Sequence, residues 1–315
     1  MVDFLVGFLP VQQPPNYQLV ADEMLRLHGF KRSRSTVEAY VKTHLPHLIS
    51  KPPRQPRPPR RFRRARAREL WQHDSSIHQW WPAERKQTLI LSVDDCSGFI
   101  VAGRFVRFDT TWDHFLHFRQ AFECHGLPEA IYTDALSLFG PSSSDDRRDP
   151  RSEFQRALRA LNVAHLVAPT PQAKGKIERR FGTFQKRLVA LLVYQNVDDS
   201  HHANEILQME IQRQNLKNLR STGLIPSEIW NQQIQECAAK MRTCPTETML
   251  DLHLSLRTSR RVHSRHLIEF DGREYEISPT LRRSVTILFH PSRKFWVLEH
   301  VPKFIWPTIL GHFTL

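Results

Sequence analysis

The run from Gln87 to Phe108, QTLILSVDDCSGFIVAGRFVRF, limits the possible folds more than any other stretch. Branched and aromatic residues on both sides of a DDCSG turn read as an antiparallel strand pair. A third strand is expected just upstream in ELWQHDSSI, which begins at residue 69. Downstream, TTWDHFLHFRQAFECHG places Trp112, Phe115, Phe118 and Phe122 at three- and four-residue steps, so it reads as an amphipathic helix with an aromatic core face, ended by Gly126. LPEAIYTD is a further strand, SEFQRALRALN a helix, VAHLVAP a strand and KGKIERRFGTFQKRLVALL one long helix.

Three strands followed by helix, strand, helix, strand, helix is an α/β order. It is the order of an RNase H-like fold, a mixed five-stranded sheet flanked by helices. Upstream, residues 17–44 hold two helical patterns around a short basic turn. The first carries Leu19, Val20, Met24 and Leu27, and the second is expected to start at Ser35, with Glu38 completing a capping box. That is the outline of a helix-turn-helix, with a plain helical hairpin nearly as well supported. Residues 51–69 contain five prolines and nine basic residues against one acid, the composition of an extended tether suited to phosphate contact. Asp271-Gly272 marks a two-residue hairpin and Pro291-Ser292 a second one, which predicts a small β-barrel-like domain. The expected divisions are a helix-turn-helix-like segment at 1–50, a basic linker at 51–69, an RNase H-like core at 70–195, a helical connector at 196–259 and a β domain at 260–315.

Charge narrows the function. The 315 residues carry 45 Lys and Arg against 32 Asp and Glu, a formal net charge of +13 that favours polyanionic partners. No apolar run approaches the roughly 20 residues that span a bilayer, and the opening MVDFLVGFLPVQQPP lacks a basic signal-peptide start. A soluble, cytoplasmic, nucleoid-associated bacterial protein is expected. Cys96, Cys124, Cys237 and Cys244 form no CxxC pair, so neither a zinc ribbon nor a disulfide framework is predicted.

Metal-assisted phosphodiester chemistry needs carboxylates from distant positions, because Mg²⁺ prefers hard oxygen donors. Asp74 ends ELWQHD, Asp134 closes AIYTD, and Glu178 lies in the first turns of the long helix. On that helix Ile177, Phe181, Phe184 and Leu188 form the sheet-facing stripe, with Glu178 about 100° from Ile177. Asp94 and Asp95 occupy a turn that favours aspartate whatever its function, and read as structural. His73 and His78 flank Asp74 and are as readily packing residues as substrate contacts.

Three motifs carry a resemblance to a known family. WQHDSSIHQWW, HGLPEAIYTD and APTPQAKGKIERRFGTFQKRL make the stretch from Trp71 to Leu192 resemble the catalytic core of the DDE transposase and retroviral-type integrase superfamily. They are most similar to insertion-sequence transposases of the ISNCY group. The resemblance implies that Asp74, Asp134 and Glu178 are the acidic triad and hold two Mg²⁺ or Mn²⁺ ions. It implies cleavage at transposon ends and joining of the freed 3′ ends to target DNA by a homo-oligomer. Lys174, Lys176, Arg179, Arg180 and Lys186 would face the DNA, with Arg34, Arg61, Arg63 and Arg64 contributing from the amino-terminal part. The alternative is a catalytically inactive or truncated relic of a transposase that binds DNA without turnover; a plain nuclease is a third reading.

Overall fold

The computed structural model of the chain describes residue 5 and residues 16–48, 63–83, 85–134, 152–168, 174–219, 223–280, 283–290, 294–299 and 308–314. The chain divides into two compact units, Met1–Asp109 with Thr170–Cys237, and Thr110–Pro169 with Ala238–Leu315. One mixed five-stranded sheet has the order β3-β2-β1-β4-β5, and a six-stranded sheet has the order β11-β10-β9-β6-β7-β8. The first is the RNase H-like sheet that the element order predicts.

In the first unit, β1 (Trp71–His78), β2 (Gln87–Asp94) and β3 (Ile100–Val106) form an antiparallel meander, with Asp74 opposite Leu91. Every residue of β2 is buried, its polar Gln87, Thr88, Ser92 and Asp94 included. One core joins Leu89, Leu91 and Val93 to Ile177, Phe181, Phe184 and Leu188, the stripe read from the sequence. The single long helix expected there is instead two, α5 (Gly175–Gln185) and α6 (Leu188–Tyr194). The break falls at Arg187, whose amide donates to the Phe184 carbonyl, a tightened last turn. Its guanidinium is drawn inward, 2.7 Å from Glu210 Oε2 and 3.0 Å from Asp22 Oδ2.

Glu210 lies on α7 (Ser200–Asn215), which covers β3. Strand β3 is the first in the sheet order, so one row of its backbone groups lacks a strand partner. Side-chain amides of α7 satisfy them. Asn204 exchanges two hydrogen bonds with the backbone of Phe105, Gln208 donates to the Gly103 carbonyl, and Asn215 exchanges two with Ile100. The Gln and Asn richness of this region is thus the cover of a sheet edge. Close approach also needs Gly103, where an added Cβ would lie 2.6 Å from Ile211 Cδ1 and 2.8 Å from Leu91 Cδ2.

The amino-terminal helices α1 (Tyr17–His28) and α2 (Arg34–His44) share a core, Leu19, Val20, Met24, Val37 and Val41, that includes Ala190 of α6. The cap of α2 is Ser33, whose hydroxyl accepts from the Thr36 amide, not the expected Ser35. Ser35 Oγ lies 2.8 Å from Ser33 Oγ and braces the cap from inside the first turn. Glu38 pairs with Lys42 and Arg34 rather than closing a capping box.

The turn between β2 and β3 holds the unit together. Asp94 is fully buried and accepts from the Ser97 amide and hydroxyl and from the Arg68 amide. Burial nevertheless pushes its carboxyl up to about 6. Asp95 accepts from the Arg64 amide, from Gln72 Nε2 at 2.8 Å and from Lys176 Nζ at 2.6 Å. Arg63 donates to the Cys96 carbonyl. The end of the basic run is therefore docked on the turn instead of trailing as a tether, because the Arg63 guanidinium and the Arg64 and Arg68 amides find acceptors there; the rest of that run lies outside the described residues.

In the second unit, β4 (Ala130–Thr133) pairs in parallel with β5 (Ala164–Val167). Helices α3 (Thr111–His125) and α4 (Glu153–Ala160) pack through Phe118 and Phe154. Helix α9 (Glu247–His253) buries Asp251, which meets Arg119, His290 and Lys294. Strands β6 (Leu256–His263), β7 (Leu267–Phe270), β8 (Arg273–Glu276), β9 (Ser284–Phe289), β10 (Lys294–Glu299) and β11 (Thr308–Thr314) form the second sheet. Asp271 and Gly272 take φ of 50° and 70°, the left-handed pair that a two-residue hairpin demands. The β9–β10 hairpin also forms, though the turn at Pro291-Ser292 lies outside the described residues. Strands β8 and β11 are opposite ends of the sheet, yet Tyr275 and Phe313 have ring centroids 5.0 Å apart. The sheet therefore curls into a half-barrel around Phe270, Phe295 and Ile287. Among the described residues no helix is long and apolar enough to cross a membrane.

Two measurements test this account. Asp95→Ala should cost about 3 kcal/mol in denaturant unfolding, because it leaves the half-buried Lys176 without its carboxylate, and adding Lys176→Met should recover part of that loss. In the second unit, burial and the Arg156 guanidinium hold His253 down to about 4. Its folded pKa lies below the unfolded value, so its contribution is complete above about 6.5 and is lost as pH falls toward 4. The stability of wild type relative to His253→Leu should fall across that window and stay level above it.

Candidate active site

Asp74 lies in β1, a strand flanked on both sides in the sheet. Side chains alternate along a strand, so Gln72 and Asp74 share one face and His73 takes the other. His73 is buried with Nδ1 2.9 Å from Ser92 Oγ, a packing role. The Gln72–Asp74 face meets the start of α5. Gln72 Oε1 accepts from the Ile177 amide at 3.3 Å, and Lys174 Nζ stands 2.9 Å from Asp74 Oδ1. At the other end of α5, Gln185 Nε2 reaches Ser76 Oγ at 3.4 Å. The helix therefore lies along β1, with its first turn at Asp74.

Glu178 belongs to that first turn and is exposed. Its helix is clamped on both sides of it: Lys176 is held by Asp95, and the buried Arg180 donates to the Gly98 carbonyl. Burial lowers the pKa of Lys176 despite Asp95, and lowers that of Arg180 to about 10. Asp134 follows the last residue of β4 and is partly buried, in the second unit. The neighbouring Thr133 hydroxyl lies 2.9 Å from His165 Nε2. Among the described residues no three His, Cys, Asp or Glu gather closely enough to hold a metal ion. Asp74 and Glu178 thus come to one turn of one helix, with Asp74 partnered by a lysine.

The basic residues expected to face DNA divide. Arg179, Lys186 and Arg34 are exposed, although Arg179 Nε also donates to the Gly175 carbonyl and Arg34 pairs with Glu38 at 3.6 Å. Lys174, Lys176 and Arg180 point into the protein, Arg63 meets the Cys96 carbonyl, and Arg64 pairs with Glu69 at 3.1 Å. Arg61 lies outside the described residues. Sequence reasoning missed the anchoring role of Gln72 and Asp95. Their signal was present: Gln72 is two positions before Asp74 on the same strand face, and DDCSG puts two adjacent acids into a chain of net positive charge.

No family model matches the chain. A putative transposase, y4bF, of Sinorhizobium fredii (strain NBRC 101917 / NGR234) is 31% identical over 199 residues, 62% of this chain and 43% of that protein. The transposase for insertion sequence IS1202 of Streptococcus pneumoniae is 30% identical over 220 residues, 69% of this chain and 44% of that protein. The chain spans less than half the length of either relative. Among solved structures, the HTLV-2 integrase catalytic core domain in complex with magnesium overlaps at a TM-score of 0.41 and 21% identity, covering 53% of this chain and 98% of that one. A simian T-cell lymphotropic virus intasome overlaps at 0.46 and 16%, covering 91% and 92%. Kinship with insertion-sequence transposases, together with an RNase H-like sheet, supports assigning the chain to the DDE transposase and integrase superfamily.

Proposed function

We propose that this protein is a DNA transposase that cuts transposon ends and joins them to target DNA, with Asp74, Asp134 and Glu178 as its metal-binding acids. The observation that carries the reading is the delivery of two acids, distant in sequence, to the first turn of one helix on an inner strand. Kinship with named transposases over more than half of the chain supports it. The donor chemistry suits Mg²⁺ or Mn²⁺, since carboxylates are hard oxygen ligands, and the Lys174 ammonium already stands as a cation against Asp74.

When bound, a pair of divalent ions would activate the attacking oxygen and stabilise the leaving oxygen of an in-line displacement at phosphorus. The chain's own part is positioning. Gln72, Asp95 and Lys176 fix the helix that carries Glu178, so the acid has little freedom to reorganise during reaction. The exposed Arg179, Lys186 and Arg34 offer charge to the DNA backbone. The partners proposed are transposon-end and target DNA and further copies of the chain, in a cytoplasmic, nucleoid-associated setting. The proposed functional divisions are a DNA-binding segment at 1–50, a basic linker at 51–69, a catalytic core at 70–195, a helical connector at 196–259 and a β domain at 260–315.

One observation favours the second reading, a transposase relic that binds DNA without turnover: Asp74 is already paired with the Lys174 ammonium. Purified protein, Mg²⁺ and candidate transposon-end duplexes separate the two. Strand-transfer products are expected, with Asp74→Asn, Asp134→Asn and Glu178→Gln each lowering the rate by about 10³-fold. Binding without cleavage by the wild type would select the relic.

A further inference from the structure

Lys174 has a placement that the proposed reaction does not explain. Its side chain is 4% exposed, and Nζ lies 2.9 Å from an oxygen of Asp74, whose own side chain is 14% exposed. It occupies the cap position of α5 but makes no side-chain cap hydrogen bond. It stands four residues before Glu178 in sequence, buried at the cap of the helix whose first turn carries that exposed acid. The neighbouring basic residues go elsewhere: Lys176 to Asp95, Arg179 to the Gly175 carbonyl, Arg180 to the Gly98 carbonyl. Burying an ammonium is costly unless its charge is matched. What Lys174 brings to this position is a positive charge against the Asp74 carboxylate.

A divalent ion coordinated by either oxygen of Asp74 would sit roughly 2.1 Å from it. An ammonium 2.9 Å from Oδ1 would then lie only a few ångströms from the ion, with strong like-charge repulsion at low local dielectric. The two cations therefore compete for the charge of Asp74. We propose that Lys174 is a resident counter-ion of the acid site: it neutralises Asp74 while no divalent ion is bound, must leave when one binds, and so sets the metal concentration at which the site fills. The inference rests on reading Asp74 as a metal ligand. The pairing makes the metal-competent arrangement a minor fraction of the free protein, and apparent affinity falls by that fraction.

Mn²⁺ titration of the full chain, following free ion by electron paramagnetic resonance, tests it without reference to turnover. Lys174→Met and Lys174→Gln should each bind Mn²⁺ at least about tenfold more tightly than wild type, and Asp74→Asn should abolish the binding. Equal or weaker binding by both lysine variants would overturn the competition. Absence of any Asp74-dependent binding in every variant would instead remove the metal-ligand reading on which it rests, and the proposal with it. Should the neutral variants not fold, the wild-type Lys174 side-chain resonance, identified by its loss in Lys174→Arg, should move on Mg²⁺ addition. An unmoved resonance at saturating Mg²⁺ would equally refute the exchange.

Discussion

Two adjacent aspartates in one turn hold the first unit in register. Asp94 turns inward and closes its own hairpin through Ser97, while Asp95 turns sideways and gathers Gln72 of β1, Lys176 of α5 and the Arg64 amide from the end of the basic run. Phe99, just beyond them, stacks on Trp230 of α8 (Pro226–Glu236) with centroids 4.8 Å apart. Segments more than a hundred residues apart thus meet on six residues of chain. Charge makes this possible: in so basic a protein, a buried acidic turn is the natural collecting point for cationic side chains.

The same economy recurs at Asp251 and at Glu210. Asp251 receives Arg119 from α3 and Lys294 from β10, and Glu210 receives Arg187 and Arg213. In both cases the acid is buried and takes a base from another element, Arg119 and Lys294 for Asp251 and Arg187 for Glu210, so these pairs specify which elements meet more than they add to stability. A buried carboxylate that loses its partner is heavily penalised, which leaves alternative packings poorly populated. Side-chain amides do the comparable work at β3, where α7 covers the sheet edge that could otherwise pair with another chain.

Within this frame the proposed site is a contrast between fixed and exposed groups. Glu178 is exposed, but the helix beneath it is tied at Lys176, Ile177 and Arg180. Asp74 is mostly covered and shares its oxygen with Lys174. Basic residues near the acids were read from sequence as contacts for phosphate. The structure turns several of them into the framework that holds the acids, while Arg179, Lys186 and Arg34 are exposed.

The branched and aromatic residues of β2 and β3, the aromatic face of α3, the stripe on α5 and the Asp271-Gly272 turn were legible from local pattern, because each depends on period and turn chemistry over a few residues. So was the α/β element order. What no local pattern could decide was direction: whether a given lysine or arginine points to solvent or inward depends on an acceptor far away in the chain. Asp95 selects Lys176, Glu210 selects Arg187 and breaks the long helix there, and Asp74 selects Lys174. Residue type and spacing along the chain determined which groups exist and on which elements they lie. Tertiary structure alone decided their partners, since electrostatic pairing follows distance in space, and that distance is set only once the sheet and its helices have packed.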